Sequence, residues 1–492
     1  MSQYFDVVVV GAGISGIGAG YHLQTRSPGR SYAIFEGRSA SGGTWDLFRY
    51  PGIRSDSDMF TLGYGFKPWT GGKSIADGAS ILGYLRDAAR EHGVDRHIRY
   101  DSRVVAADWS SAEATWTVTV EEGAARTRRT VTCSFLFMCT GYYDYAKGYS
   151  PDFAGTDDFA GTIVHPQFWP ETLDYARKRI VVIGSGATAV TLVPELARQA
   201  AQVTMLQRSP SYVVALPARD RLANALGKAL PARAAYAAVR WRNVLFSLFM
   251  FNWMRKNPAK AKKRLIGWVR DHLGSDYDVE RHFTPRYNPW DQRLCVVPDA
   301  DLFDAIKAGT ASVVTDHIAR FVPRGVELAS GTVLDADIVV TATGLELQLM
   351  SDIALTVDGT RVDPSQSMNY KGMMFSDIPN LALSFGYTNA SWTLKADLTA
   401  GYVARLLNTM QARGMRQVTP RVSGPITEAP FLDFTSGYVA RGISRFPRQG
   451  DRAPWRVHQN YARDMMALRF GSIDEGMEFS NPVPKNPARS AA

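Results

Sequence analysis

The chain has 492 residues, 45% of them hydrophobic and 21% charged, a balance that excludes disordered, collagen-like and membrane-bundle chains and leaves a soluble globular protein. At about 150 residues per domain this length predicts two or three domains around substantial cores. The formal charge of +9 is unevenly spread: residues 219–272 hold thirteen Lys or Arg against two Asp, so the remainder is slightly acidic.

The N-terminus runs directly into Phe5-Asp6-Val7-Val8-Val9-Val10-Gly11, a short strand without the basic flank and apolar run of an export signal. Three cysteines, Cys133, Cys139 and Cys295, offer no CxxC or zinc-like spacing, so the chain reads as cytoplasmic and reduced, with no metal site. Cys133 and Cys139 read as small apolar filler, which argues against a redox pair.

A strand, a glycine-rich turn and a small-residue helix occur twice. The first unit leads from Asp6–Val10 into Gly11-Ala12-Gly13-Ile14-Ser15-Gly16, and the second from Arg179–Ile183 into Gly184-Ser185-Gly186-Ala187-Thr188-Ala189. In such a turn the first glycine bends the chain, the second lets the backbone approach a pyrophosphate, and the third lets helix and strand pack closely. The free N–H groups at the helix start then face the phosphates.

The end of the following strand separates the two sites. After the first, Ser31–Phe35 ends at Glu36, a carboxylate suited to the ribose hydroxyls of FAD. After the second, Val203–Leu206 ends at Gln207-Arg208-Ser209 without a carboxylate, which predicts NADPH over NADH, with Arg208 gripping the 2′-phosphate and Ser209 assisting. Later strands, 135–141 and 338–344, return to the two sheets.

The expected fold is α/β, with two Rossmann-like dinucleotide-binding domains and a mainly helical insertion. Residues 1–145 and 380–492 form the FAD domain, 177–218 and 284–379 the NADPH domain, 219–283 the insertion, and 146–176 a linker. Pro231 and Pro258 break the insertion's helices. Its basic, aromatic sequence leaves two readings, a solvated helical face, which is preferred, or a peripheral contact with an anionic membrane through 219–272. No nucleic-acid motif accompanies the charge. Residues 482–492 read as a loose polar tail. With neither a cysteine pair nor a metal cluster, reduced flavin passes electrons to an external acceptor or to oxygen, and the residues alone leave both open.

Longer motifs go further. Phe159 to Pro170 fits FxGxxxHxxxWP, and Gly42-Gly43-Thr44-Trp45 with Tyr50-Pro51-Gly52 and Asp56 fits GGxWxxxxYPGxxxD. On these the chain resembles the type I Baeyer–Villiger monooxygenases, which are class B flavoprotein monooxygenases. The stretches 287–295, 370–374 and 386–393 are similar to the ethionamide-activating branch in particular.

The resemblance implies that NADPH reduces FAD, that O2 adds to the flavin to give a C4a-peroxyflavin, and that a ketone receives one oxygen atom to become an ester or lactone. Sulfide or thioamide oxidation accompanies this in the branch. It implies that Gly43, Thr44 and Trp45 lie at the flavin, that Arg293 is the essential arginine, and that Asp56 positions it, with Asp58 as a rival by type and Asp56 chosen by spacing. His165 and Trp169 are expected to couple domain motion. Thr393 or a neighbour is expected to cap a helix over 394–408 near the flavin. Tyr387 and Trp392 either line the substrate pocket or belong to the aromatic core. Where many relatives carry a lysine before the essential arginine, this chain has Gln292, which shifts the NADPH preference towards Arg208. An S- or N-oxygenating flavin monooxygenase and a non-oxygenating FAD/NADPH-binding protein are the competing readings.

Overall fold

The computed structural model describes residues 3–432 and 434–482; the expected polar tail lies, from Val483 onward, outside the described residues. Val7 to Val10 are buried on both faces, as a central parallel strand requires. Gln3–Val10 lies between Tyr32–Phe35 and Thr127–Met138, parallel to both. Its alternation separates two cores: Val7 and Val9 pack with Ile17 and Ala19 of the helix Ile14–Arg26, while Val8 and Val10 face Trp116 and Val118. The latter pair belongs to Thr115–Glu122, which with Ser102–Ser110 extends the sheet antiparallel.

The second sheet is all parallel, in the order Ala311–Thr315, Gln202–Gln207, Arg179–Ile183, Ile338–Thr341, Thr162–Val164. Residues 162–164 are therefore not linker but the edge strand of this sheet. Ile338 to Thr341 are buried throughout and need a partner on each side, which a linker strand supplies.

The expected boundary at 379/380 is also corrected. Ala354–Val357 pairs in parallel with residues 106–109 and Thr360–Val362 adds to it, both in the first sheet, and Leu381–Leu383 pairs with Leu136–Met138. The chain thus re-enters the first domain just after Gly344. The two crossings pair with each other, Tyr143–Gly148 antiparallel to Leu345–Leu347.

The insertion is helical as expected: Arg221–Ala229, Ala232–Lys256, Pro258–Leu273 and Val279–Phe283. Pro231 immediately precedes one helix and Pro258 opens the next, where a missing N–H costs nothing. Ala232–Lys256 is anchored by the buried Arg240, whose Nη1 donates to Phe60 O and Gly63 O at 2.7 Å each, and by Tyr236, whose hydroxyl donates to Tyr64 O. Its outer face exposes Trp241, Leu245, Phe246 and Phe249. Among the described residues no helix is long and apolar enough to cross a membrane.

Candidate active site

A cavity of about 590 Å³ opens where the first glycine turn meets the second domain; Gly11, Gly13, Glu36, Gly43, Thr44, Trp45, Asp56 and Arg293 all line it. Gly16 lies behind it, where a Cβ would come within 1.8 Å of Gly11 O, so helix and turn can meet only at glycine. The helix that follows has neither a side-chain cap nor an acidic residue in its first turn, which leaves its N–H groups for an anion. Glu36 accepts from the backbone N–H of Ala12 at 2.7 Å and of Arg38 at 3.0 Å. Burial pushes its carboxyl upward and these two donors oppose the shift. Each oxygen keeps a further acceptor site for a ribose hydroxyl. Thr44 Oγ1 and Tyr145 OH lie 3.3 Å apart across the rim. A mononucleotide half with its phosphates at the turn and its ribose at Glu36 fits this arrangement.

Arg293 and Asp56, 237 residues apart, form a bidentate pair, Nη2 to Oδ1 at 2.9 Å and Nε to Oδ2 at 2.8 Å. About a third of each side chain is open to the cavity (34% and 30%). Asp56 holds the guanidinium further above its already high range, against the effect of burial. The rival Asp58 is the helix cap instead: it accepts from Thr61 N and from Asn243 Nδ2. The Arg293 loop is braced from outside, because Asp291 pairs with Arg255 at 2.9 Å and its carbonyl accepts from Thr435.

Residues 184–188 are not on this cavity but form a second turn across the domain interface. Gly184 has φ +138°, with Ala342 O only 2.3 Å from where its Cβ would stand, whereas Gly186 faces open space. The helix it starts also lacks a side-chain cap and an acidic residue in its first turn. Ser185 Oγ donates to Ser209 O at 3.0 Å, tying the turn to the strand end that carries the exposed Arg208. The Thr188 hydroxyl bonds Tyr50, and Cys295 Sγ lies 3.7 Å from Ser185 O. Cys295 stands two residues after Arg293, so the Arg293 loop joins the two turns. Burial pushes the Cys295 thiol up to about 12. This second turn fits the pyrophosphate of a second dinucleotide.

His165 is not placed for proton transfer. Its Nδ1 accepts from Gln167 N at 3.2 Å and its Nε2 lies 3.3 Å from Gly344 O, at the paired crossings. Trp169 is buried in the core of the second sheet, with Ile180, Val182 and Val340. Both positions suit coupling between the domains. Tyr387 and Trp392 do line the cavity. Trp392 stacks on Tyr142 with centroids 5.2 Å apart and donates from Nε1 to Ser15 Oγ at 2.8 Å. The helix expected over 394–408 spans Trp392–Ala412, and neither Thr393 nor the N-cap residue Ser391 caps it, because their hydroxyls bond Leu62 O and Thr61 Oγ1.

Sequence reasoning missed Tyr142, Gln348 and Ser351, which also line the cavity. Met350, Ser351 and Asp352 all adopt positive φ, between 50° and 55°, a left-handed turn that Met-Ser-Asp does not announce.

The chain matches two family descriptions, "NAD(P)-binding Rossmann-like domain" over residues 9–74 and "Flavin-binding monooxygenase-like" over residues 75–224. It is 55% identical over 488 residues to the FAD-containing monooxygenase EthA of Mycobacterium tuberculosis (strain ATCC 25618 / H37Rv), covering 98% of this chain and 99% of that one. It is 47% identical to the probable FAD-binding monooxygenase AlmA of Acinetobacter baylyi (strain ATCC 33305 / BD413 / ADP1), covering 97% and 96%. Among solved structures the fold is shared with an oxidized steroid monooxygenase bound to NADP, at TM-score 0.76 and 22% identity over 97% of this chain and all of that one. An open cyclohexanone monooxygenase shares it at TM-score 0.74 and 20% identity over 98% and 100%. With two dinucleotide turns, a cavity at the first that Arg293 also lines, and identity of this extent along nearly the whole chain, the protein belongs to the FAD-containing monooxygenases.

Proposed function

We propose that the chain is an NADPH-driven Baeyer–Villiger monooxygenase that inserts one oxygen atom of O2 into ketones to give esters or lactones. The observation that carries this reading is the Arg293–Asp56 pair, a fixed cation on the wall of the same cavity that the first glycine turn and Glu36 line. When bound, FAD supplies the redox chemistry that accepts electrons from NADPH and activates O2. Arg293 keeps a positive charge where negative charge develops as oxygen is transferred, and each pKa unit by which it favours an anion is worth about 1.4 kcal/mol. Asp56 orients that cation. Glu36 and the first turn hold FAD, with Gly43, Thr44 and Trp45 at its rim, while residues 184–188, Arg208 and Ser209 hold NADPH. Tyr142, Tyr387 and Trp392 exclude water and bound the substrate.

Sulfide or thioamide oxidation at the same cavity belongs to this reading, since an aromatic wall accepts a soft apolar substrate as readily as a ketone. NADPH consumption in air with phenylacetone, 2-octanone and a thioether, with products identified by gas chromatography, tests it. Ester supports the ketone reading; sulfoxide alone makes the chain an S-oxygenating enzyme.

For the insertion, the exposed Trp241, Leu245, Phe246 and Phe249 on a basic helix support a peripheral lipid contact over a wholly solvated face. Flotation with anionic vesicles at low salt tests this, and absence of binding removes it.

A further inference from the structure

A second cavity, of about 940 Å³, lies between the helices Ile14–Arg26 and Trp392–Ala412 of the first domain and the insertion helix Ala232–Lys256; it shares no lining residue with the flavin cavity. Five arginines line it, Arg26, Arg233, Arg240, Arg405 and Arg469, against a single carboxylate, Asp397. That carboxylate is already engaged: it accepts from Gly65 N at 3.1 Å, lies 3.5 Å from His22 Nε2 and 3.8 Å from Arg240 Nη2.

Among the described residues no carboxylate pairs with Arg26, Arg233, Arg405 or Arg469. At the floor, His22 is 5% exposed and its Nδ1 has no hydrogen-bond partner, and neither does the buried Nε of Arg405. Like charges gathered in a concavity with low-dielectric walls focus a positive potential there.

Aromatic rings also line the wall, among them Tyr21, Phe66, Trp241 and Tyr461. Tyr21 and Phe66 stack at 3.5 Å, and Trp241 meets Tyr461 at 5.8 Å across the insertion boundary. A small inorganic anion would use the arginines and leave this surface unfilled.

We propose that this cavity is a second ligand site, for an amphipathic organic anion whose carboxylate or phosphate head meets Arg233, Arg405 and Arg469 and whose aliphatic or aromatic body lies against Tyr21, Phe66 and Trp241. Its occupant bridges the insertion and the first domain without entering the flavin cavity. Binding therefore does not compete with the oxygenated substrate.

Titration calorimetry on the FAD-loaded enzyme tests this with decanoate, decyl phosphate, 1-decanol and inorganic phosphate. Both amphipathic anions bind at least ten-fold more tightly than 1-decanol and than inorganic phosphate. The double variant Arg233→Gln/Arg469→Gln, at exposed positions, weakens them at least ten-fold with unchanged melting. Ala237→Trp, which adds bulk to the exposed wall, weakens the two chains but not inorganic phosphate. Comparable binding of inorganic phosphate identifies a counter-ion site only and overturns the proposal. So does binding that neither variant alters, which places the anion outside this cavity, or binding that raises the KM of the ketone, which places it in the flavin cavity. A preference between decanoate and decyl phosphate tells which head the site takes.

Discussion

Arg293 donates to Asp56 through both Nε and Nη2 across the domain boundary, while Asp58, two residues on, spends its carboxylate on a helix start and on Asn243. The two aspartates therefore predict different losses. Asp56→Asn keeps the shape but removes the charge that orients Arg293, and lowers oxygenation by roughly ten- to a hundred-fold, as expected for an unpaired partly buried charge. Asp58→Asn, with an equally good capping residue, changes oxygenation little, and Asp58→Ala costs about 1 kcal/mol of stability. Parallel kcat and melting measurements separate them.

The two glycines of the second turn differ in the same way. Gly184→Ala meets Ala342 O and a φ of +138°, so this variant loses soluble, folded enzyme. Gly186→Ala has room for its methyl group in the apo-protein but places it where the pyrophosphate must approach. It folds normally, and its KM for NADPH rises while FAD content stays level.

Arg208 stands exposed at the strand end, with Gln292 in place of a second cation. Arg208→Gln therefore raises the KM for NADPH by roughly ten-fold or more, the worth of a charge-assisted hydrogen bond, and leaves that for NADH nearly unchanged. Equal effects on both cofactors would remove Arg208 from the 2′-phosphate.

Burial lowers the pKa of His165 below its ordinary 6.5, and the neutral ring, accepting at Nδ1 and donating at Nε2, fits its two partners. A depressed histidine gives stability that is complete above about 6.5 and declines as pH falls from there towards the folded value. His282 and His458 shift the same way, so His165→Asn, whose Oδ1 can still accept from Gln167 N, removes part of the loss only. Melting curves between pH 7.5 and 5.5 should show the smaller drop for the variant.

How far the sequence carried depended on the range of the interaction. Both glycine turns, the strand ends at Glu36 and Arg208, and the helix breaks at Pro231 and Pro258 are local and were legible. The Arg293–Asp56 pair spans 237 residues and was legible only through two longer motifs. Strands 162–164 and 354–357 were not, because an apolar run does not say which sheet will pair with it. The left-handed turn at Met350 to Asp352 was missed because those residue types do not mark it; at about 1–3 kcal/mol per residue such a turn persists only where its surroundings hold it. The second cavity depends on three elements that meet only after folding.

The central claim is most directly tested by ester formation from phenylacetone in Arg293→Ala against the parent enzyme, with FAD content measured on both. The account predicts that ester falls below detection while bound FAD and NADPH consumption persist, the oxygen appearing as peroxide. Ester formed at the parent rate, with the cavity cation gone, would contradict it.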